Sequence, residues 1–587
     1  MVAIPLDSYD VVVIGAGWFG LSAAKTYLET HPEERLLVVD SALSLGGSWA
    51  KDRLYPGLKS NNLYGSYEHP DFPMLEEVYG VKPGQHIPAA VLHRYLTDFA
   101  RHFGILERTL LNTKVKHATQ DGRDEWNLTL RTTTPGDSED TEKTIHTRRL
   151  IVATGLTSEP NLPTYLGEET FTGNKFHAKD FCLHGDTVST AKRVVIVGCG
   201  KSAYDCAYAY ASASAPAGSG SGTHVDLLVR PSGQGPVWLV PPYVTPFKRM
   251  MEELLHTRAL TWFSPAPWGD EDGYPAPRAW LQKSALGRLL TANWFATMHN
   301  EVVETHGFDD PAHPELFKLK PWQPSFWTGS GVGIHNFDSS LWDLVRQGRI
   351  NVHVADVTKL GGGGGGQVHL SNGTVLEDID VLCCATGWKK DATLTYDGLE
   401  LRGLGIPSVS AAEQARLRTA ADREILERFP ILANQPVLRH GREPATEEEP
   451  LRYYRFIVPA GQVSKRNIAF AGMVSTVSTA CFANAQALWI SAYFDGRLAR
   501  APPTTQDELL REVYLHTQFG KWRYPCGYGG SLPDFAFDAL PYVDLLLNDL
   551  GVKNHRKTSQ VAELLEAYKP RDYKGLTGEW LALQGRK

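Results

Sequence analysis

Residues 11–14 (VVVI) form an unbroken, β-branched apolar run, the pattern of a strand buried on both faces of a parallel sheet. A glycine-rich turn and a helix-like stretch follow, and a second apolar strand, RLLVV at 35–39, comes next. The same order recurs at 194–207 (VVIVGCGKSAYDCA), whose next strand is HVDLLVR at 224–230. Elsewhere the pattern changes. Between 111 and 151 the segments LLNTKVKHA, EWNLTLRTT and TIHTRRLIVATG are separated by polar turns and predict a small antiparallel meander. A second meander carries an Asn372-Gly373 hairpin signal and leads to an apolar strand at 379–384. Both meanders end in the same tripeptide, Ala153-Thr154-Gly155 and Ala385-Thr386-Gly387. NIAFAG at 467–472 predicts another buried strand, followed by a helix containing AQALWISAYF.

The turns between strand and helix carry the chemistry. Gly15, Gly17 and Gly20 have G-x-G-x-x-G spacing. The first glycine permits the tight turn, the second lets a pyrophosphate approach the backbone, and the third lets helix and strand pack closely, with the helix N-terminus aimed at the phosphates. Asp40, twenty residues beyond Gly20, ends the next strand where an acid binds a ribose hydroxyl. Gly198, Gly200 and Ala203 repeat the spacing, with Ser202 before the third position. Arg230 stands where the first unit has its acid and favours the 2′-phosphate of NADP(H), with a plain surface arginine as the other reading. The predicted fold is therefore α/β, with two Rossmann-like dinucleotide-binding domains, antiparallel meander insertions and a helical, aromatic-rich insertion.

The expected division is 1–182 for the first domain, 183–349 for the second with its insertion at about 236–330, 350–500 for the return to the first, and 501–587 for a C-terminal extension without assignable chemistry. The turn-rich stretch 55–73 reads as a long loop lining a site. The insertion (TWFSPAPW, PWQPSFWTG) reads as a cap over a lipophilic pocket, with Trp262 and Trp327 as substrate-facing residues; a membrane-surface or dimer contact is the alternative. The six glycines at 361–366 read as a flexible loop.

Length and composition narrow the class. The 587 residues exceed one core, and 42% hydrophobic with 21% charged residues is ordinary for a globular chain. A net charge of −7 gives no footprint for nucleic acid. The apolar runs are too short for a transmembrane span and the N-terminus lacks a signal-peptide pattern, so a soluble cytoplasmic protein is expected. Seven scattered cysteines without a CxxC pair suit a reducing compartment and indicate no metal site. No cysteine precedes Cys182, which disfavours a disulfide reductase.

With these features together, residues 10–497 resemble the flavin-containing monooxygenase family, related to the Baeyer-Villiger monooxygenases. The most specific element is FTGNKFHAKDF at 171–181, similar to the family's F-x-G-x-x-x-H-x-x-x-aromatic signature, here ending in Phe181 where Baeyer-Villiger members typically carry Trp. The resemblance implies that FAD is held by Gly15, Gly17, Gly20, Asp40, the segment Gly46, Gly47, Ser48, Trp49, and Thr154. It implies that NADPH is held by Gly198, Gly200, Ser202, Ala203 and Arg230, and Thr386 is a further cofactor-binding candidate. Asn61 would lie near the flavin and nicotinamide, with Asn62 an alternative register, and Gln486 near the flavin pyrimidine. His177 is either a signature residue coupling domain motion to NADPH binding or a hydrogen-bonded core histidine.

The implied chemistry is NADPH reduction of the flavin, addition of O2, and delivery of one oxygen atom from a flavin hydroperoxide to a lipophilic small molecule such as an aromatic or polyketide-like secondary metabolite. Hydroxylation or heteroatom oxygenation ranks above Baeyer-Villiger oxidation of a ketone or aldehyde, because no arginine lies between Lys320 and Arg346. A non-catalytic flavin-binding regulator is the remaining alternative. Peripheral membrane contact and the oligomeric state stay open.

Overall fold

The computed structural model describes residues 7–133, 141–213, 222–244, 248–362, 365–389, 394–396, 409–437, 449–530 and 532–585. Strand β1 (Ser8–Ile14) enters helix α1 (Trp18–Thr30), and β2 (Leu36–Val39) returns parallel to β1 with Val13 opposite Val38. The short β3 (Thr109–Leu110) extends this parallel set beyond β2. The expected meander is present as β4 (Thr113–Gln120), β5 (Trp126–Thr132) and β6 (Thr141–Val152). β6 does two jobs. Its first part pairs antiparallel with β5 and is mostly exposed, whereas Leu150, Ile151 and Val152 are buried beside β1. A half-exposed strand thus becomes a doubly covered one within twelve residues.

The second sheet begins with β7 (Asn174–His177), β8 (Arg193–Val197), helix α2 (Lys201–Ser212) and β9 (His224–Val229). The insertion follows, with its long helix α3 (Ala285–His306). The chain then adds β10 (Ile350–Val354), the antiparallel trio β11 (Val357–Gly362), β12 (Gly366–Leu370) and β13 (Val375–Leu376), and β14 (Val381–Cys384). The five-stranded sheet runs β10-β9-β8-β14-β7, all parallel. This corrects the expected division at 182/183 and 349/350. Strands at 174–177, 350–354 and 381–384 belong to the second sheet, so the second Ala-Thr-Gly ends a strand of that sheet. The return to the first sheet comes at β15 (Thr395–Tyr396) beside β4 and at β16 (Ile468–Phe470) beside β6. VLCC at 381–384 is as apolar as any strand of the first sheet, so its sequence does not say which sheet it joins.

The glycine run is also different from expectation. Gly361 pairs with Gln367 and Gly362 with Gly366 in a hairpin whose tip, residues 363 and 364, lies outside the described residues. A Cβ on Gly362 would stand 1.8 Å from the Thr170 carbonyl oxygen. These glycines permit close backbone approach to the 170–173 segment.

Helix α4 (Ala411–Arg428) covers the surface, and α5 (Thr479–Phe494), buried from Ala480 onward, packs on α1 as a helix apolar on all sides must. The C-terminal extension supplies α6 (Gln506–Arg523) and α7 (Ala539–Leu550). It is bolted to the insertion by buried ions: Arg258 Nη1 donates to Asp544 Oδ2 at 2.5 Å and its Nε to Glu563 Oε1 at 2.7 Å. No helix among the described residues is long and apolar enough to cross a membrane.

Candidate active site: two clefts that open on one apolar pocket

The first cleft, about 540 Å³, lies along the turn between β1 and α1. Gly15 has φ +107°, and a Cβ there would meet the Ala153 carbonyl oxygen at 2.3 Å. A Cβ on Gly20 would stand 1.8 Å from the Gly15 carbonyl oxygen, and Gly47 brings its own backbone against Gly17, 2.9 Å from a Cβ to the Gly17 Cα. Backbone from Ala153, Gly47 and Gly15 thus closes in on Gly15, Gly17 and Gly20 respectively. Helix α1 has no side-chain cap and no acid in its first turn, so its N-terminal amides are left for an anion. Asp40 lines the same cleft, with its Oδ2 accepting from the Ala16 amide at 2.6 Å and its Oδ1 from Ala42 at 2.8 Å. Burial raises its pKa against these two bonds. Ser48, Trp49 and Thr154 also line the cleft, and the Trp49 indole donates to the Tyr67 hydroxyl at 3.1 Å.

The second cleft, about 590 Å³, repeats the plan. Gly198 has φ +123°, and a Cβ on it would stand 2.4 Å from the Ala385 carbonyl oxygen. The recurrent Ala-Thr-Gly is thereby explained: in each unit the alanine carbonyl passes directly beneath the first glycine. A Cβ on Gly200 would meet nothing within 4 Å, an opening toward the cleft it lines. Ala203, fully buried, takes the third position, whereas Ser202 is exposed and does not line the cleft. Arg230 and Thr386 line it, and the Arg230 guanidinium has no hydrogen-bond or ion-pair partner among the described residues. The Thr386 hydroxyl donates to the Asn161 carbonyl at 2.6 Å.

A third cavity, about 160 Å³ and mostly apolar, is walled by Trp238, Met251, Leu255, Phe295, Met298 and Phe537 among others. It shares Trp238, Ser330 and Val332 with the second cleft and Thr476 with the first, and Ser475 lines both clefts. The three spaces are therefore neighbours with shared walls. Asn61 and Asn62 both line this pocket, Asn61 accepting from the Ile334 amide at 3.4 Å and Asn62 donating to the Val477 carbonyl at 3.1 Å. The insertion forms part of the wall, as a cap would, but not through the two tryptophans expected. Trp262 donates to Asp272 and Trp327 packs edge-on against Phe326, and neither lines the pocket.

Two charged residues here escaped sequence reading. Glu252 is 3% exposed and Arg523 is 1% exposed, and both line the pocket. Burial pushes the Glu252 carboxyl up to about 7, against hydrogen bonds from Ser66 and Leu63. Arg523 lies on the extension, over the Phe326 ring at 3.9 Å. The available signal was the insertion's mixed-charge stretch and the aromatic, glycine-rich turn after Arg523.

His177 is held at both ring nitrogens: Nδ1 accepts from the Lys179 amide at 3.1 Å and Nε2 faces the Gly387 carbonyl at 2.9 Å. That pattern fixes a neutral ring protonated at Nε2, and burial lowers its pKa accordingly. It ties β7 to the second Ala-Thr-Gly loop. Gln486 does not itself line the first cleft but is bonded to Gly472, which does. Fully buried, its Oε1 accepts from the Gly472 amide at 2.9 Å and its Nε2 donates to the Tyr542 hydroxyl at 3.0 Å. Helix α5 presents Thr479 to the cleft instead.

Two glycine-turn clefts converging on an apolar pocket are the architecture of an oxidoreductase that brings two dinucleotides to one substrate. Residues 8–266 match the family of flavin-binding monooxygenase-like proteins. The chain is 34% identical to the FAD-dependent monooxygenase rstn6 of Aspergillus nomiae, over 99% of both chains, and 33% identical to the FAD-dependent monooxygenase resA of Aspergillus sclerotiorum, again over 99% of both. An open crystal structure of cyclohexanone monooxygenase shares the fold, with a TM-score of 0.58 and 16% identity over 93% of this chain and 99% of that one. The chain belongs to the flavin-binding monooxygenase family.

Proposed function

We propose that this monooxygenase holds FAD in the first cleft and NADPH in the second, and transfers one oxygen atom from O2 to a lipophilic molecule seated in the apolar pocket. The convergence of the three cavities at Ser330, Val332, Ser475 and Thr476 carries this reading. When bound, the flavin accepts hydride from the nicotinamide and activates oxygen. The protein's share is orientation and exclusion of water. The α1 and α2 N-termini and their glycines take the two pyrophosphates, with Gly46, Gly47, Ser48, Trp49 and Thr154 flanking the first and Thr386 the second. Asp40 takes the unphosphorylated ribose, and Arg230, without a hydrogen-bond or ion-pair partner among the described residues, takes the 2′-phosphate. Asn61 sits where pocket and strand meet, and His177 keeps the second Ala-Thr-Gly loop fixed to β7. A reducing, cytoplasmic setting suits seven cysteines that form no disulfide among the described residues.

Baeyer-Villiger oxidation is the second reading. Arg523 places in the pocket a buried arginine, the residue type absent between Lys320 and Arg346. Product analysis with isotopic oxygen separates it from hydroxylation, since only insertion beside the carbonyl leaves the label as an ester or acid oxygen. The primary test is anaerobic mixing with NADPH: the yellow protein should bleach. Gly15→Ala should be isolated without flavin, and Gly198→Ala should keep flavin yet fail to bleach. A wild-type protein that holds FAD and does not bleach refutes the enzyme reading.

A further inference from the structure

The apolar pocket contains polar atoms that the protein leaves unserved. Glu252 Oε1, Arg523 Nε and Ser325 Oγ are buried without a hydrogen-bond partner, and all three residues line this one cavity. Protein interiors rarely tolerate that, because each such atom carries its full desolvation cost.

Glu252 is the best defined of the three. Its Oε2 accepts from the Leu63 amide at 3.3 Å and from the Ser66 hydroxyl, which fixes the carboxyl plane between the insertion and the 59–66 segment. The Asn62 amide, which donates to the Val477 carbonyl at 3.1 Å, also lies within hydrogen-bonding reach of the carboxyl and favours its charged form. The carboxyl is thus held by one oxygen, while the other lies in the cavity wall without a hydrogen-bond partner among the described residues.

We infer that Glu252 Oε1 is a substrate-positioning group that recognises a hydroxyl on an otherwise apolar scaffold. A hydroxyl suits either protonation state of the carboxyl, donating to the anion or accepting from the acid. A carbonyl can serve only the acid. An ammonium would have to enter an apolar cavity that already contains the Arg523 charge. Pockets of this kind use a few fixed polar groups to orient a ligand that apolar walls bind. Selectivity for a hydroxyl is large when its absence strands a buried partner.

This inference rests on the pocket being the substrate site, and it is tested without turnover. FAD-loaded protein at pH 8 is titrated with 4-hydroxybenzophenone, benzophenone and 4-methoxybenzophenone, with quenching of tryptophan fluorescence as the readout. Wild type should bind the hydroxyl compound about tenfold more tightly than either partner, the scale of a hydrogen bond to a charged group. In Glu252→Gln that ratio should fall to about threefold or less. Glu252→Asp, which withdraws the carboxyl while keeping its charge, should lose the ratio as well. A wild-type ratio near one, whether through equal binding or through none, overturns the inference and leaves Oε1 to water. So does a ratio that survives in Glu252→Gln. Because no NADPH is added, failure to bleach defeats the proposed function without touching this ratio, and a ratio of one in a protein that bleaches normally defeats this inference alone.

Discussion

Glu252 makes the stability of this protein depend on pH in a way that one substitution should remove. In the unfolded chain the carboxyl loses its proton near 4.5, and in the fold burial delays that loss to about 7. Between those values the native state binds more protons than the unfolded state, so stability falls as pH rises and the full penalty is present above the folded value. A shift from 4.5 to about 7 corresponds to roughly 3 kcal/mol at about 1.4 kcal/mol per unit. The amide in Glu252→Gln keeps an oxygen for the Leu63 and Ser66 donors and does not titrate. The variant should therefore gain on wild type by about 3 kcal/mol between pH 4.5 and pH 8. Urea unfolding of both proteins at intervals across that range checks this. A variant-minus-wild-type difference that stays flat with pH would refute the burial argument.

Further predictions concern the other polar groups. Arg258→Met leaves Asp544 and Glu563 as unpaired buried acids and should cost about 3–5 kcal/mol, seen as a lower urea midpoint; a negligible change would mean the extension is held by apolar packing alone. Gln486→Leu strands the buried Gly472 amide and should cost about 1–3 kcal/mol, with the visible flavin band unmoved. A shifted band would show that Gln486 senses the cofactor after all. Arg230→Ala should raise KM for NADPH by about 10- to 100-fold, the worth of a charge-assisted contact, while leaving NADH unchanged. Equal effects on the two would remove Arg230 from the 2′-phosphate.

The two nucleotide turns were legible because their information is local. Gly15 and Gly198 must adopt positive φ and must admit a carbonyl where a Cβ would stand, and those demands are met within a few consecutive residues. The meander before β6 was legible for a similar reason, since half-exposed alternation is written residue by residue. Strand ownership was not. VLCC at 381–384 and NIAF at 467–470 are equally apolar, and only pairing with β8 or with β6 sends them to different sheets. The recurrence of Ala-Thr-Gly was visible in the sequence, but its cause, a carbonyl beneath each first glycine, is a contact between segments far apart in the chain.

By itself, then, the sequence determined the fold class, the family and the two glycine-rich strand-to-helix turns, because contiguous spacing and apolar period specify backbone geometry directly. The apolar pocket was decided only in three dimensions. Its walls come from Asn61, Glu252, Phe295, Ser325, Arg523 and Phe537, which no spacing rule connects. The same holds for Gln486, whose amide reads as a surface or cofactor group until α5 is packed on all sides and the side chain turns inward to Gly472. Burial is a property of neighbours distant along the chain, and it is burial that turns an ordinary glutamate and an ordinary arginine into the polar features of an apolar cavity.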